Sequence, residues 1–184
     1  HYDIKTKMIS YFEHNKFSGI KQIMATLSNG MDVAVISDAG TPAISDPSYK
    51  LIREAISIGA KIESIPGASA VLAALVSSGL PTDRFIFEGF LPPKKGRKKR
   101  IENIANENAT IVIYESKNRL QRTIKQLLDI LGDRPAVICR ELTKLHEQFI
   151  RGTLSSLLSS VVEQTLKGEI VLLVGKNDKN VYFD

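Results

Sequence analysis

The sequence is poor in the residues on which covalent and metal-based scaffolds depend. It contains a single cysteine, Cys139, and no tryptophan. One thiol cannot form an internal disulfide bond, so non-covalent packing must hold the fold, and this cysteine usage favours a reducing, cytoplasmic location. Histidine, cysteine, aspartate and glutamate do not recur at the spacings of a metal site, so we predict no metal.

Several functional signatures are also missing from the sequence. No apolar run approaches the roughly 20 residues that span a bilayer, and the amino end has no signal-peptide pattern, so we expect no membrane partner. The fingerprints GxGxxG and GxxxxGK[ST] do not occur, which argues against dinucleotide and triphosphate sites. No arrangement of serine, histidine and aspartate indicates a catalytic triad.

The composition is that of a globular protein large enough for two small domains. Of the 184 residues, 43% are hydrophobic and 24% are charged, which are ordinary fractions for a soluble chain. A polar segment with a glycine and a proline, residues 78–85, separates an alanine-rich helix from a new strand. We therefore predict an N-terminal α/β domain over residues 1–82 and a C-terminal α/β domain over residues 83–184.

The N-terminal part alternates predicted strands and helices. The mostly apolar, β-branched segment at residues 31–36 predicts a strand that is buried on both faces of a parallel-type sheet, and residues 61–65 predict the next strand. Helical spacing of apolar residues follows each of them. Between the first strand and its helix, Asp46 and Pro47 form a plausible N-cap and N1 pair.

The C-terminal part contains more strands at closer spacing. Apolar patterns predict strands near residues 85–89, 110–114, 135–140, 148–151 and 169–174. Helices are predicted from Ser116 to Gly132 and over residues 153–166. Because several strands follow one another with short connections, we predict a mixed sheet here and an α/β fold for the whole chain.

Two turns that follow the N-terminal strands are the candidate cofactor site. The first, SDAGTPAISDP, offers Gly40 for close backbone approach, hydroxyls at Thr41 and Ser45, and a carboxylate at Asp38. The turn has no lysine or arginine, so it suits a nucleoside or sulfonium ligand better than a triphosphate. The second turn, PGASA, places Ser69 at a helix start. The alternative is that both are simply tight connections and a helix cap.

Charged side chains cluster at the ends of two C-terminal strands, where a catalytic group would lie. This set comprises Glu115, Arg140, Glu141, Lys144, His146 and Glu147. Solvated surface charge is the alternative for each member.

A short basic run dominates the charge of the chain. It consists of Lys94, Lys95, Arg97, Lys98, Lys99 and Arg100. These six charges exceed the net charge of +5 for the whole chain, so the rest is slightly acidic. We interpret the run as an arm that contacts nucleic-acid phosphates and gives affinity rather than sequence specificity; a solvated loop is the alternative.

Taken together, these motifs resemble the tetrapyrrole methylase superfamily, and within it the bacterial enzymes that methylate a cytidine ribose of small-subunit ribosomal RNA. The resemblance covers nearly the whole chain and is carried by VAVISDAGTPAISDP, IPGASAVLAALVSSGLPTDRFIFEGFLP, the basic run, IVIYES, RELTKLHEQFIRGTLSSL and KGEIVLLV. It implies S-adenosylmethionine held between two α/β domains, a homodimer, and 2′-O-methylation of a cytidine in the decoding region of 16S rRNA.

The resemblance also implies which residues line the cofactor. From the two turns these are Asp38, Gly40, Thr41, Pro42, Ile44, Ser45, Ser69 and Ala70, and from the C-terminal part Tyr114, Glu141, Leu142, Gly168 and Glu169. As hypotheses for a residue that assists the reaction we retain Glu115, Glu141 and Lys144.

Three departures from the family pattern are visible. The first strand of the family and its glycine-asparagine turn are expected upstream of His1, Ser48 replaces the usual glycine, and Lys117-Asn118 replaces the usual Pro-His pair. Two rival functions stay open: a methyltransferase that acts on a tetrapyrrole carbon, against which the basic run argues, and an RNA-binding module without catalysis.

Overall fold

The computed structural model describes residues 3–12, 16–45, 48–164, 166–178 and 180–183. Asp46 and Pro47, the predicted start of a helix, lie outside the described residues. The chain divides into two compact units, His1–Ala68 and Ser69–Asp184. The alanine-rich helix that follows PGASA belongs to the second unit, and the division after residue 82 stays a prediction.

The first unit contains helix α1, Lys16–Ser28, and helix α2, Ser48–Ser57. Residues 31–36 and 61–65 carry no strand assignment, so the described part of this unit does not confirm the predicted parallel sheet. A strand needs a neighbour that pairs with its N–H and C=O groups, and apolar composition alone does not supply one. Side chains of both segments, including Val33 and Ile62, instead line a cavity of about 660 Å³ together with residues of α1 and α2.

The second unit is built on a five-stranded sheet, as predicted for the C-terminal part. The elements in chain order are α3 (Ala70–Ser78), β1 (Phe85–Phe90), α4 (Arg97–Ala105), β2 (Thr110–Ser116), α5 (Lys117–Leu131), β3 (Pro135–Arg140), β4 (Gln148–Thr153), α6 (Leu154–Glu163) and β5 (Glu169–Val174). The strand order is β1-β2-β5-β3-β4, with β1 parallel to β2 and the other pairs antiparallel. This arrangement confirms the mixed sheet and the α/β class.

The sheet is covered differently on its two faces. On one face α4, α5 and α6 bury a large core, to which α5 contributes a helical stripe, Leu120, Ile124, Leu127 and Leu131. On the other face α3 packs through Val71, Ala74 and Leu75 against strand residues such as Val112 and Leu173. Aromatic side chains of β1, β2 and β4 border this second, smaller core.

Buried Arg134 joins the ends of two helices on the larger face. Its guanidinium donates to the carbonyls of Leu131, at the end of α5, and Ala105, at the end of α4. A cation at the carboxyl end of a helix interacts favourably with the helix dipole. Burial lowers the pKa of Arg134, and the two carbonyls offset part of the cost of burying its charge.

Candidate functional site

The first predicted cofactor turn has an unusual backbone. Gly40 adopts a φ of 74°, and Ala43 and Ser45 have φ values of 69° and 61°. Side chains seldom favour this left-handed region, and such residues often mark functional turns. The hydroxyl of Ser37 donates to the carbonyl of Gly40 at 3.0 Å and closes the turn.

The second turn meets the first within the same unit. The hydroxyl of Thr41 donates to the carbonyl of Ala68 at 2.9 Å. A Cβ atom added to Gly40 would lie 3.7 Å from that carbonyl, so the two backbones approach each other closely. Asp38 and Ile44 are exposed beside this contact, and Pro42 is half-buried. The structure thus brings the two turns together.

Ser69 has a structural role in the second unit. It is the N-cap of α3, and its hydroxyl accepts a hydrogen bond from the backbone N–H of Leu72 at 3.4 Å. Ala70, the first residue of α3, is exposed. A capping hydroxyl is already engaged in this way, so contact with a ligand at Ser69 stays a prediction.

The strand registers place the predicted residues of the second unit at one end of the strands. We call this end, where β1, β2 and β3 finish and β5 begins, the sheet edge. Phe90 pairs with Tyr114 at the ends of β1 and β2, and Ser116 pairs with Glu169 at the start of β5. Arg140, at the end of β3, pairs with Ile170. The segments that contain the basic run, the charged strand ends and residue 168 therefore all leave the sheet at this edge.

Glu141, Lys144 and Glu169 form an ion cluster at that edge. The ammonium of Lys144 donates to Glu141 Oε1 at 3.2 Å and to Glu169 Oε2 at 2.9 Å. Glu141 also accepts from the backbone N–H of Glu169 at 2.8 Å and has a φ of 49°. Its side chain crosses the backbone of Gly168 so closely that a Cβ atom there would clash with it.

The same contacts fix the charges of this cluster. The backbone N–H of Glu169 and the Lys144 ammonium lower the pKa of Glu141. The carboxylates of Glu169 and Glu141 raise the pKa of Lys144. At neutral pH Glu141 is therefore an anion of weak basicity, and Lys144 is a cation rather than a free amine.

Glu115, by contrast, is buried on the face of the sheet that α4 and α5 cover. Its carboxylate is 3.4 Å from Arg97 and 2.8 Å from Arg119, and it accepts from the hydroxyl of Thr123 at 2.6 Å. The side chain has no exposed area. Both oxygens are engaged, so the placement favours a structural role over contact with a substrate.

Tyr114 lies on the opposite face from Glu115, as alternation along a strand requires. Its ring packs edge-on against Phe87 at 4.9 Å between centroids, and partial burial raises the pKa of its phenol. Leu142 packs against the same smaller core. The two predicted cofactor contacts thus share one side of the sheet, and they stay predictions.

Four of the six residues of the basic run, those from Arg97 to Arg100, form the first turn of a helix, and Lys94 and Lys95 precede it. Helix α4 begins at Arg97 after Gly96, whose φ is 81°. Arg97 is only 2% exposed and donates to Gln126 at 2.7 Å and to the carbonyl of Pro92 at 3.1 Å. Its position therefore does not support the predicted contact with RNA. The other five members of the run are exposed.

Several residues of this region carry no local signal in the sequence. Glu88 is one, because its carboxylate accepts from Arg100 at 2.5 Å and is almost fully buried. Thr123 and Gln126 are two more, since their bonds to Arg97 span more than 20 residues. The Glu115–Arg119 pair, by contrast, joins residues only four positions apart, a spacing that is visible in the sequence.

Two negative findings apply to the described residues alone. Within residues 3–12, 16–45, 48–164, 166–178 and 180–183, no group of three or more histidine, cysteine, aspartate or glutamate side chains could hold a metal ion. None of the helices in this described part has the length and hydropathy needed to cross a bilayer.

Comparison with known proteins gives the class. The family model for Tetrapyrrole (Corrin/Porphyrin) Methylases matches residues 2–158. The match covers most of the chain, and the chain therefore belongs to the tetrapyrrole methylase family.

Relatives within that family narrow the resemblance further. The chain is 48% identical over 182 residues to Ribosomal RNA small subunit methyltransferase I of Halalkalibacterium halodurans, covering 98% of this chain and 63% of that protein. It is 44% identical over 176 residues to the protein of the same name in Thermotoga maritima, covering 95% and 79%. The Bacillus subtilis protein of that name is 42% identical over 182 residues, with coverage of 98% and 62%. The chain thus spans less than two thirds of the first and third of these relatives.

Solved structures agree on the fold. The methyltransferase CobJ superimposes with a TM-score of 0.67 at 20% identity, over 88% of this chain and 72% of CobJ. Uroporphyrin-III C-methyl transferase from Thermus thermophilus, complexed with S-adenyl homocysteine, gives 0.62 at 17% identity, over 90% and 75%. At these identities the likeness concerns the fold alone.

Proposed function

We propose that the chain is the methyl-transferring part of an S-adenosylmethionine-dependent enzyme that methylates the 2′-hydroxyl of a cytidine ribose in the decoding region of 16S rRNA. One structural observation carries the proposal. The ion cluster of Glu141, Lys144 and Glu169 and the segment that leads to the basic start of α4 both lie at the same edge of the sheet. The names of the sequence relatives support a small-subunit rRNA substrate.

The residues of the first turn fit S-adenosylmethionine. S-adenosylmethionine carries a positively charged sulfonium and a ribose. Its site therefore favours carboxylates, hydroxyls and a backbone that approaches the ligand closely over lysine or arginine. Asp38 supplies a carboxylate, and Gly40, with its left-handed backbone, allows close approach of the backbone. Thr41, which already donates to Ala68, fixes the turn for such a ligand. The candidates of the second unit, Tyr114 and Leu142 among them, are proposed on the family resemblance.

The chemistry demands alignment more than proton removal. S-adenosylmethionine supplies an activated methyl group when bound. The protein must hold the ribose oxygen in line with the methyl carbon and its leaving sulfur and must exclude water. Of the three residues proposed to assist, Glu115 is buried, Lys144 is protonated and Glu141 is a weak base. The geometry thus favours positioning of the hydroxyl over general-base catalysis.

Variants of the ion cluster test this mechanism. If Glu141 and Lys144 act by positioning, Glu141→Gln and Lys144→Met should each lower kcat less than about tenfold, which corresponds to roughly 1.4 kcal/mol. A loss of several orders of magnitude with unchanged substrate affinity would instead identify a base. The matched control is Lys125→Gln, since Lys125 is an exposed lysine in the middle of α5.

The substrate is tested with the full-length protein, small ribosomal subunits and S-adenosylmethionine labelled in the methyl group. The rRNA is digested to nucleosides and separated by mass. Label in 2′-O-methylcytidine is the expected result, and label in a base-methylated nucleoside would refute the proposal. Transfer to a precorrin-type tetrapyrrole would support the rival methyltransferase that acts on a tetrapyrrole carbon. RNA binding without any transfer would support the inactive RNA-binding module.

We further propose that the enzyme works in the cytoplasm as a homodimer. The cytoplasmic location fits the lone buried thiol, Cys139, and a substrate in the small ribosomal subunit. The dimer rests on the family resemblance, and sedimentation of the full-length protein at several concentrations tests it. A constant monomer mass would contradict it.

A further inference from the structure

Phe90 is an exposed aromatic residue that none of the roles described above uses. It is the last residue of β1, and 57% of its surface is exposed. Its ring centroid lies 5.5 Å from that of Tyr114 in a tilted arrangement. A half-exposed aromatic ring that rests on a second aromatic ring leaves one side available for stacking.

A β-bulge aims this ring. The pairing of β1 with β2 runs in register to Phe87 opposite Val112 and then shifts, so that Gly89 lies opposite Ile113 and Phe90 opposite Tyr114. Three residues of β1 therefore span two residues of β2. Without the extra residue, Phe90 would point to the opposite face from Tyr114, since side chains alternate along a strand. Bulges commonly redirect side chains beside functional sites in this way.

The bulge is fixed to the basic helix. Glu88, the extra residue, accepts from Arg100 of α4 at 2.5 Å, and its carboxylate is only 4% exposed. Gly89 follows with a φ of 62°, a conformation that glycine adopts without strain. One ion pair thus links the bulge before Phe90 to α4.

The segment between Phe90 and the basic run is also held in place. Three arginines donate to three successive carbonyls: Arg119 to Leu91, Arg97 to Pro92 and Arg122 to Pro93. The first exposed lysine of the run, Lys94, comes directly after this segment. The aromatic ring and the phosphate-binding charges are therefore presented together on an ordered frame.

We infer that Phe90 is a stacking platform for an unpaired nucleobase of the RNA whose phosphates the start of α4 contacts. The inference rests on the proposed RNA substrate, and it adds a protein residue that contacts one of the bases of that RNA. Proteins that bind single-stranded nucleic acid combine a basic surface with aromatic rings on which bases stack. An RNA occupant is favoured because four exposed lysines, Lys94, Lys95, Lys98 and Lys99, surround the start of α4.

The absence of tryptophan from the sequence allows a direct test. Phe90→Trp introduces the only indole of the chain, and stacking of a base on an indole quenches its fluorescence. Phe85→Trp is the matched control, because Phe85 begins the same strand, is 40% exposed and lies at the opposite edge of the sheet. Each variant is titrated with single-stranded RNA of the decoding-region sequence, and filter binding measures the affinity independently.

Quenching at position 90 but not at position 85, over the concentrations at which the RNA binds, is the expected result. Binding without quenching at position 90 would overturn the stacking role and leave the proposed RNA substrate intact. Failure of both variants and of the unmodified chain to bind RNA would overturn both proposals. Quenching of Phe90→Trp by S-adenosylmethionine alone would assign the ring to the adenine of the cofactor and would also overturn the inference.

Affinity measurements separate stacking from a structural effect. Phe90→Ala should weaken binding of the single-stranded RNA by roughly 5- to 150-fold, the range for loss of one stacked base. The slope of log affinity against log salt should stay unchanged, because no phosphate contact is lost. Phe90→Tyr, which keeps an aromatic ring, should bind this RNA with the affinity of the unmodified chain. An equal loss of affinity in Phe90→Tyr, or a changed slope in Phe90→Ala, would contradict the inference.

Discussion

Replacing Glu115 by alanine distinguishes a structural carboxylate from a catalytic one. The change removes the acceptor of Arg97, Arg119, Thr123 and the backbone N–H of Ser116. Arg97 is left with a side chain that is 2% exposed and without its only carboxylate neighbour among the described residues. Arg119 loses less, because 28% of its side chain is exposed.

The expected cost follows from this geometry. Breaking a buried ion pair by removing one partner typically costs about 3–5 kcal/mol, since the remaining charge stays in a poorly solvated site. That is a large part of the roughly 5–15 kcal/mol that stabilises a domain. With an m-value of about 2 kcal/mol per molar urea, the unfolding midpoint should fall by roughly 2 M. Circular dichroism in a urea series measures this shift.

A matched variant and a double variant complete the experiment. Glu107→Ala removes the partner of Arg84 in an exposed pair at 3.2 Å, and we expect at most about 1 kcal/mol. Arg97→Met combined with Glu115→Leu removes both buried charges and should recover much of the loss. The reasoning fails if Glu115→Ala unfolds with the unmodified chain while methyl transfer disappears, because Glu115 would then act in the reaction.

Three further measurements probe the remaining assignments. Lys98→Gln and Lys99→Gln should each lower the salt dependence of RNA binding by about 0.7–0.9 in log–log slope, whereas Lys125→Gln should not. Burial raises the pKa of Cys139 to about 12, so a thiol reagent should react with it only after unfolding; reaction with the native chain would contradict its burial. The lowered pKa of Glu141 predicts stability that is fully present above the ordinary carboxyl range and lost as the pH falls through the lowered value. Glu141→Gln should flatten that acid limb of the urea midpoint, and an unchanged limb would refute the assignment.

The second unit was predictable because its signals are local. Apolar runs such as residues 110–114 and 169–174 mark buried strands, and they correspond to β2 and β5. The leucine-rich stripe before Gly132 marks α5 in the same way. The first unit shows the limit of such signals. Residues 31–36 have the composition of a strand, but strand pairing depends on a neighbour that composition does not specify.

The basic run illustrates why the site itself was harder to predict. Six positive charges within seven residues indicate a solvated arm, but Arg97 is buried because its partners come from distant elements, Glu115 of β2 and Gln126 of α5. The bulge before Phe90 is a second example, because its Glu88 pairs with Arg100, twelve residues away. Such contacts are tertiary, and a window of local sequence contains no trace of them.

The division of these cations follows the chemistry of their side chains. Arginine presents five donors in a planar fork and can satisfy several acceptors at once. Arg97, Arg119 and Arg122 each bond one backbone carbonyl in the segment before the basic run, and Arg97 and Arg119 also bond side-chain acceptors. Lysine is a compact, well-hydrated charge, and the lysines of the run are exposed. The charges proposed to bind RNA are thus mostly lysines, which contact phosphates without reading sequence. The exposed ring of Phe90, which this frame presents beside them, would add affinity for an unpaired base of any identity, so selection of one nucleotide must come from groups that contact base edges.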